Sequence, residues 1–143
     1  MANQKPTIET GALEHPNVKA IRNYQAAMAK GDFANGITVF DPEVTYTVPG
    51  NNILSGLYKG PEQVMGYLGK LMELTQGSYG ISEMHWLVND KDQVVLFIKN
   101  FADLRGRSYE WEETILFEFK NGKKINIEHF QANQAGVDAF LGN

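Results

Sequence analysis

The chain has 143 residues, 43% of them hydrophobic and 11% aromatic, which suits one domain with a single core. A formal net charge of -4 with scattered basic residues carries no nucleic-acid footprint. The absence of cysteine excludes disulfides and thiolate chemistry, and His15, His85 and His129 lack ligand spacing, so neither a metal nor another cofactor is expected. No apolar run reaches the roughly 18 residues of a membrane span and the N-terminus has no apolar signal core, so the expectation is a cytoplasmic protein with neither membrane nor nucleic acid as partner.

Residues 1–14 read as a polar, aperiodic tail and residues 15–143 as a single domain. His15-Pro16 supplies a cap and a first-turn proline; Val18, Ile21, Tyr24 and Met28 then recur at spacings of three, three and four, which places them on one helical face. Lys30-Gly31 stops that helix, and Asp32 caps a second one carrying Phe33, Ile37 and Phe40, ended by Asp41-Pro42. Val44, Tyr46 and Val48 alternate with threonines in a short strand whose inward side includes the Tyr46 hydroxyl. Gly60-Pro61 opens a third helix with an apolar stripe of Val64, Leu68, Leu71 and Met72; Gly66 and Gly69 weaken it, and close packing would account for them.

Three strands follow, over residues 81–88, 94–102 and 109–119, and Asn121-Gly122 forms a tight turn into a fourth over residues 124–130. Within residues 109–119, Tyr109, Trp111, Ile115, Phe117 and Phe119 share one parity, and Glu113 is the only acid among them. A buried carboxylate is costly unless it is paired, hydrogen-bonded or protonated, so Glu113 is a candidate site acid. A buried structural pair, or exposure through a slipped register, are its other readings. His129 shares parity with Ile125 and Ile127, which would turn it inward toward Glu113, although Phe130 on the opposite parity leaves room for a bulge. Trp111, Met28 and Phe130 are candidate cavity walls, His85 is assigned to the rim or outer face, and Glu110, Glu112 and Glu118 to a solvated face. The order of elements predicts an α+β domain, with helices on one face of a mostly antiparallel sheet.

Several stretches, in their order, resemble the SnoaL-like proteins of the ketosteroid isomerase and nuclear transport factor 2-like group. They are Asn23-Tyr24 through Asp32, Val44 through Gly50, Tyr58-Lys59-Gly60, Phe117 through Lys123, and Val137 through Phe140. The resemblance implies a cone-shaped fold, with three helices in its first half packed on a strongly curved sheet around an apolar pocket, commonly in a homodimer. Tyr24 matches the helix tyrosine that stabilises a developing enolate in ketosteroid isomerases. The isomerase base does not carry over, because Val48 stands before Pro49 where those enzymes place an aspartate; the second acid would fall on Ile115, two residues from Glu113. Epoxide-hydrolase acids are absent from Ile98-Lys99-Asn100-Phe101. The expectation is therefore a cofactor-independent isomerase, cyclase or dehydratase acting on a small, apolar, oxygenated molecule. Glu113, Tyr24 and His129 would be catalytic, with Tyr46, Trp111, Met28 and Phe130 contacting substrate. The alternative is a non-catalytic ligand-binding or dimeric interaction module of the same fold.

Overall fold

The structure, a computed structural model, describes residues 7–143. The elements run β1 (Ile8–Gly11), α1 (Pro16–Ala29), α2 (Phe33–Gly36), a 3-10 turn (Ile37–Val39), β2 (Phe40–Val48), β3 (Gly56–Lys59), α3 (Gly60–Leu74), β4 (Gly80–Val88), β5 (Gln93–Leu104), β6 (Arg107–Lys120), β7 (Lys123–Gln131) and α4 (Gln134–Leu141). All seven strands form one open sheet in the order β1-β4-β5-β6-β7-β2-β3. Four pairings are antiparallel, while β1–β4 and β2–β7 are parallel. The helices pack on one face of this curved sheet. Among the described residues, no helix is long and apolar enough to cross a membrane.

Local chemistry accounts for most element boundaries. The His15 ring caps α1 by accepting from the Asn17 backbone N–H at 3.1 Å, and the Asp32 carboxylate caps α2 by accepting from that of Asn35. Asn121 and Gly122 both have positive φ, 52° and 78°, which suits the two-residue turn joining Lys120 to Lys123. Val18 and Ile21 bury the inner face of α1 against the sheet, each contributing about 2 kcal/mol by removal from water. A second apolar cluster gathers Leu54, Leu71, Trp111, Val137 and Phe140, with Tyr109 stacked on Phe140 at 5.0 Å, and so fastens α4 across the end of the sheet.

Four features differ from the sequence expectations. Of the tail expected over residues 1–14, residues 1–6 lie outside the described residues, and residues 8–11 form β1. There Glu9 accepts from Arg22 at 2.9 Å and from the Trp86 indole at 2.8 Å, which ties α1 and β4 together through the edge strand. The second helix ends at Gly36, and Phe40 already begins β2, because pairing with β7 overrides the local helical spacing of Phe33, Ile37 and Phe40. The C-terminal helix α4 and the short edge strand β3 are additions, since eight and four residues carry too little periodicity to be read. Gly66 and Gly69 allow no close packing: a Cβ at either position meets no atom within 4 Å.

Candidate active site

Glu113 reaches the interior because β6 alternates faithfully: Trp111, Glu113, Ile115, Phe117 and Phe119 are all buried, and the intervening Glu110 and Glu112 are exposed. Glu113 is 6% exposed. Its Oε1 accepts hydrogen bonds from the Trp111 indole N–H at 3.2 Å and from the Gln131 amide at 2.8 Å. Both donors lock the group's orientation. Its second oxygen, Oε2, lies 3.6 Å from Nε2 of His129.

His129 stands opposite Ile115 in the β6–β7 ladder and is buried. Nε2 of His129 is 2.6 Å from the Tyr46 hydroxyl, and the two rings meet edge to face at 5.0 Å. Burial pushes the His129 imidazole below its ordinary pKa, against the opposing pull of Glu113, so the neutral ring is favoured. Burial likewise pushes Tyr46 far above the ordinary tyrosine value, as it does Tyr67 and Tyr79, with the Glu113 charge adding to each. These phenols remain proton donors at physiological pH. A neutral His129 then accepts the Tyr46 proton on Nε2; a protonated one donates from that atom. Glu113 and Tyr46 thus face the same nitrogen of His129, the carboxylate at 3.6 Å and the phenol at hydrogen-bond distance, and Tyr67 packs against this cluster, its ring 4.9 Å from Tyr46 and 5.9 Å from His129.

This cluster forms one wall of a cavity of about 450 Å³ between the sheet and helices α1 and α3. Most of the lining is apolar, including Ile21, Met28, Val64, Leu96, Ile98 and Phe117. Tyr24 also lines it, with burial raising its phenol to about 12, but its neighbours are the Phe40 ring at 5.3 Å and the Lys124 ammonium at 4.3 Å. Among the described residues its hydroxyl makes no hydrogen bond to Glu113, Tyr46 or His129. The cavity therefore collects Glu113, His129 and Tyr46 into one cluster and holds Tyr24 and Met28 elsewhere on its wall.

Two expected wall residues stand differently. Phe130 is 54% exposed and lies opposite Thr114, because inward-facing His129 sends its neighbour to the other face of β7; Phe130 does not line the cavity, which corrects its assignment there. Trp111 lines a separate, smaller pocket with Val48, Leu54 and Gln131, and touches the site through its bond to Glu113. His85 sits between Thr10 and Glu83 and takes no part.

Four residues that the sequence reading passed over belong to the site's surroundings. Tyr67 falls on the stripe of Val64, Leu68 and Leu71, so helical spacing already carried its signal. Gln131 shares the parity of His129. Tyr79 precedes its strand and donates to the buried Asn100 at 2.6 Å, which no local pattern announces. Lys124 is the fourth.

The SnoaL-like domain family matches residues 21–126 of this chain, and the chain belongs to it. An uncharacterized protein of Mycobacterium tuberculosis is 28% identical over 120 residues, covering 84% of this chain and 92% of its own length. Among solved structures, Bal32a from a soil-derived mobile gene cassette superposes with a TM-score of 0.82 at 26% identity, covering 89% of this chain and 97% of that one. A Xanthomonas campestris protein of unknown function with a cystatin-like fold does so with a TM-score of 0.77 at 27% identity, covering 89% and 98%. The architecture is the nuclear transport factor 2-like fold.

Proposed function

We propose that this protein is a cofactor-independent acid–base enzyme of the isomerase, cyclase or dehydratase type, acting on a largely apolar, oxygenated small molecule. The observation that carries this reading is the cluster of Glu113, His129 and Tyr46 on the wall of a cavity of about 450 Å³. Trp111 and Gln131 occupy Oε1 of Glu113, which leaves Oε2 to take a proton from a carbon acid or an alcohol in the cavity and return it at a second position, with His129 beside it. Tyr67 donates to the substrate oxygen on which negative charge develops, joined by Tyr46 when a protonated His129 donates to the Tyr46 oxygen and frees its hydroxyl hydrogen. The apolar lining excludes water and strengthens each of these interactions. Tyr24 and Met28 contact the body of the substrate.

The alternative of a non-catalytic binding module retains one specific support. Val48, at the position of the isomerase base, is buried at the end of β2 and offers no proton acceptor. Deuterium exchange separates the two readings. A panel of apolar ketones is incubated with the protein in D2O and followed by proton NMR. The enzyme reading expects accelerated exchange beside the carbonyl, reduced at least about 100-fold in Glu113→Gln, with circular dichroism and ligand affinity preserved. Exchange that is indifferent to this substitution, or absent across the panel, supports the binding module instead.

A further inference from the structure

A lysine also faces the cavity, and the chemistry above does not use it. Lys124 is 2% exposed and lines the same cavity as Glu113 and His129. Its Nζ lies over three aromatic rings, at 4.3 Å from the centre of Tyr24, 4.8 Å from Phe117 and 5.1 Å from Phe40. Among the described residues no carboxylate stands within ion-pair distance of it, and burial alone brings its amine down from 10.5 to about 7. Lysine is rarely buried without a partner, because desolvating the ammonium costs several kcal/mol. The ring faces stabilise a cation but satisfy none of its three N–H donors.

The placement of Lys124 depends on a bulge. Phe119 pairs with Lys124 and Glu118 with Asn126, so Ile125 is an extra residue on β7. Without it, strict alternation from His129 through Ile127 and Ile125 would send Lys124 to the outer face. Five residues separate Lys124 from His129, roughly 15 Å along the strand. Among the described residues that line the cavity, Lys124 is the only Lys or Arg and Glu113 the only acid. A ligand in this cavity therefore meets a cation at one end and the Glu113–His129–Tyr46 cluster at the other.

We propose that Lys124 is the anchor for an anionic group of the ligand, so that the molecule bound is an elongated, largely apolar carboxylic acid whose reacting oxygen lies at the Tyr46–His129 end. The carboxylate supplies the counter-charge that the fold withholds from Lys124, and accepts its N–H donors. Tyr24, beside the ammonium, donates to the same carboxylate. This inference rests on the proposed function for the far end of the molecule, while its near end depends on Lys124 alone.

Calorimetric titration of 6-phenylhexanoic acid and related aryl-alkanoic acids, each against its primary amide, tests it. At pH 7.5 the protein should bind the acids roughly tenfold or more tightly than the amides, as a charge-assisted contact requires. In Lys124→Met the ratio should fall to about one while the amides keep their affinity. Charging the amine on binding should also draw in up to about one proton per acid bound at pH 8, seen as a dependence of the heat on buffer ionisation. Equal affinity of acid and amide, binding by neither across the series, or a preference that survives Lys124→Met overturns the assignment. Glu113→Gln should retain the acid preference. A result in which that variant loses exchange chemistry while no acid preference exists refutes the anchor alone; the converse refutes only the catalytic reading.

Discussion

Replacing Lys124 by methionine should stabilise the protein, and should do so in a pH-dependent way. Methionine keeps the unbranched apolar stem against Tyr24, Phe40 and Phe117 and removes the charge. The lysine amine moves from 10.5 to about 7 on folding, a difference equivalent to about 5 kcal/mol. Below pH 7 the amine is charged in both states, so the full cost of a buried ammonium falls on the native state. From pH 7 to 10.5 the unfolded chain holds a proton that the folded chain has released, so the wild type gains stability as pH rises. The advantage of Lys124→Met is therefore greatest near pH 6, with an upper limit of about 5 kcal/mol because the ring faces offset part of the cost, and it shrinks by about 2.5 kcal/mol by pH 9. Of the three rings facing Lys124 from α1, β2 and β6, only Tyr24 titrates, at about 12, outside this window. Urea unfolding of both proteins at pH 6, 7, 8 and 9, followed by circular dichroism, measures the difference; groups common to both cancel. A difference that does not change with pH would refute the burial of an unpaired ammonium in the native state.

Two further substitutions probe other links. Tyr46→Phe removes the hydroxyl 2.6 Å from His129 Nε2 and should cost about 1–3 kcal/mol in urea unfolding, together with about a 100-fold loss of any Glu113-dependent exchange. A stability loss without a rate loss would make Tyr46 structural. Gly69→Ala lies in α3 where the added Cβ meets nothing within 4 Å, so it should raise stability by about 0.5–1 kcal/mol, read as a melting temperature a few degrees higher. A drop would mean that an assembly contact, absent from the single chain, occupies that face.

The legible part of the site was the part governed by period-two alternation. Glu113 interrupts a run of buried apolar residues, and β6 pairs with β5 from Arg107 to Glu118 without a shift, so parity predicted its face. His129 followed from the Asn121-Gly122 turn, which sets the antiparallel return of β7. Tyr24 and Met28 followed from helical spacing. Phe130 was misplaced because the aromatic character of a residue says nothing about parity, and here parity wins.

The sequence by itself determined the order of α1, α2, β2, α3 and β4 to β7, the inner faces of α1, α3 and β6, and the presence of one acid in an apolar strand. These depend on contacts between near neighbours, where side-chain periodicity is set by backbone geometry. Only the tertiary structure decided which polar groups share a cavity. The Glu113–His129 contact joins residues 16 apart on paired strands, and Tyr46 reaches His129 across the parallel β2–β7 pairing. The inward turn of Lys124 depends on one extra residue in a ladder whose partner strand must be known first. A bulge is a property of a strand pair, and no single stretch of sequence contains it.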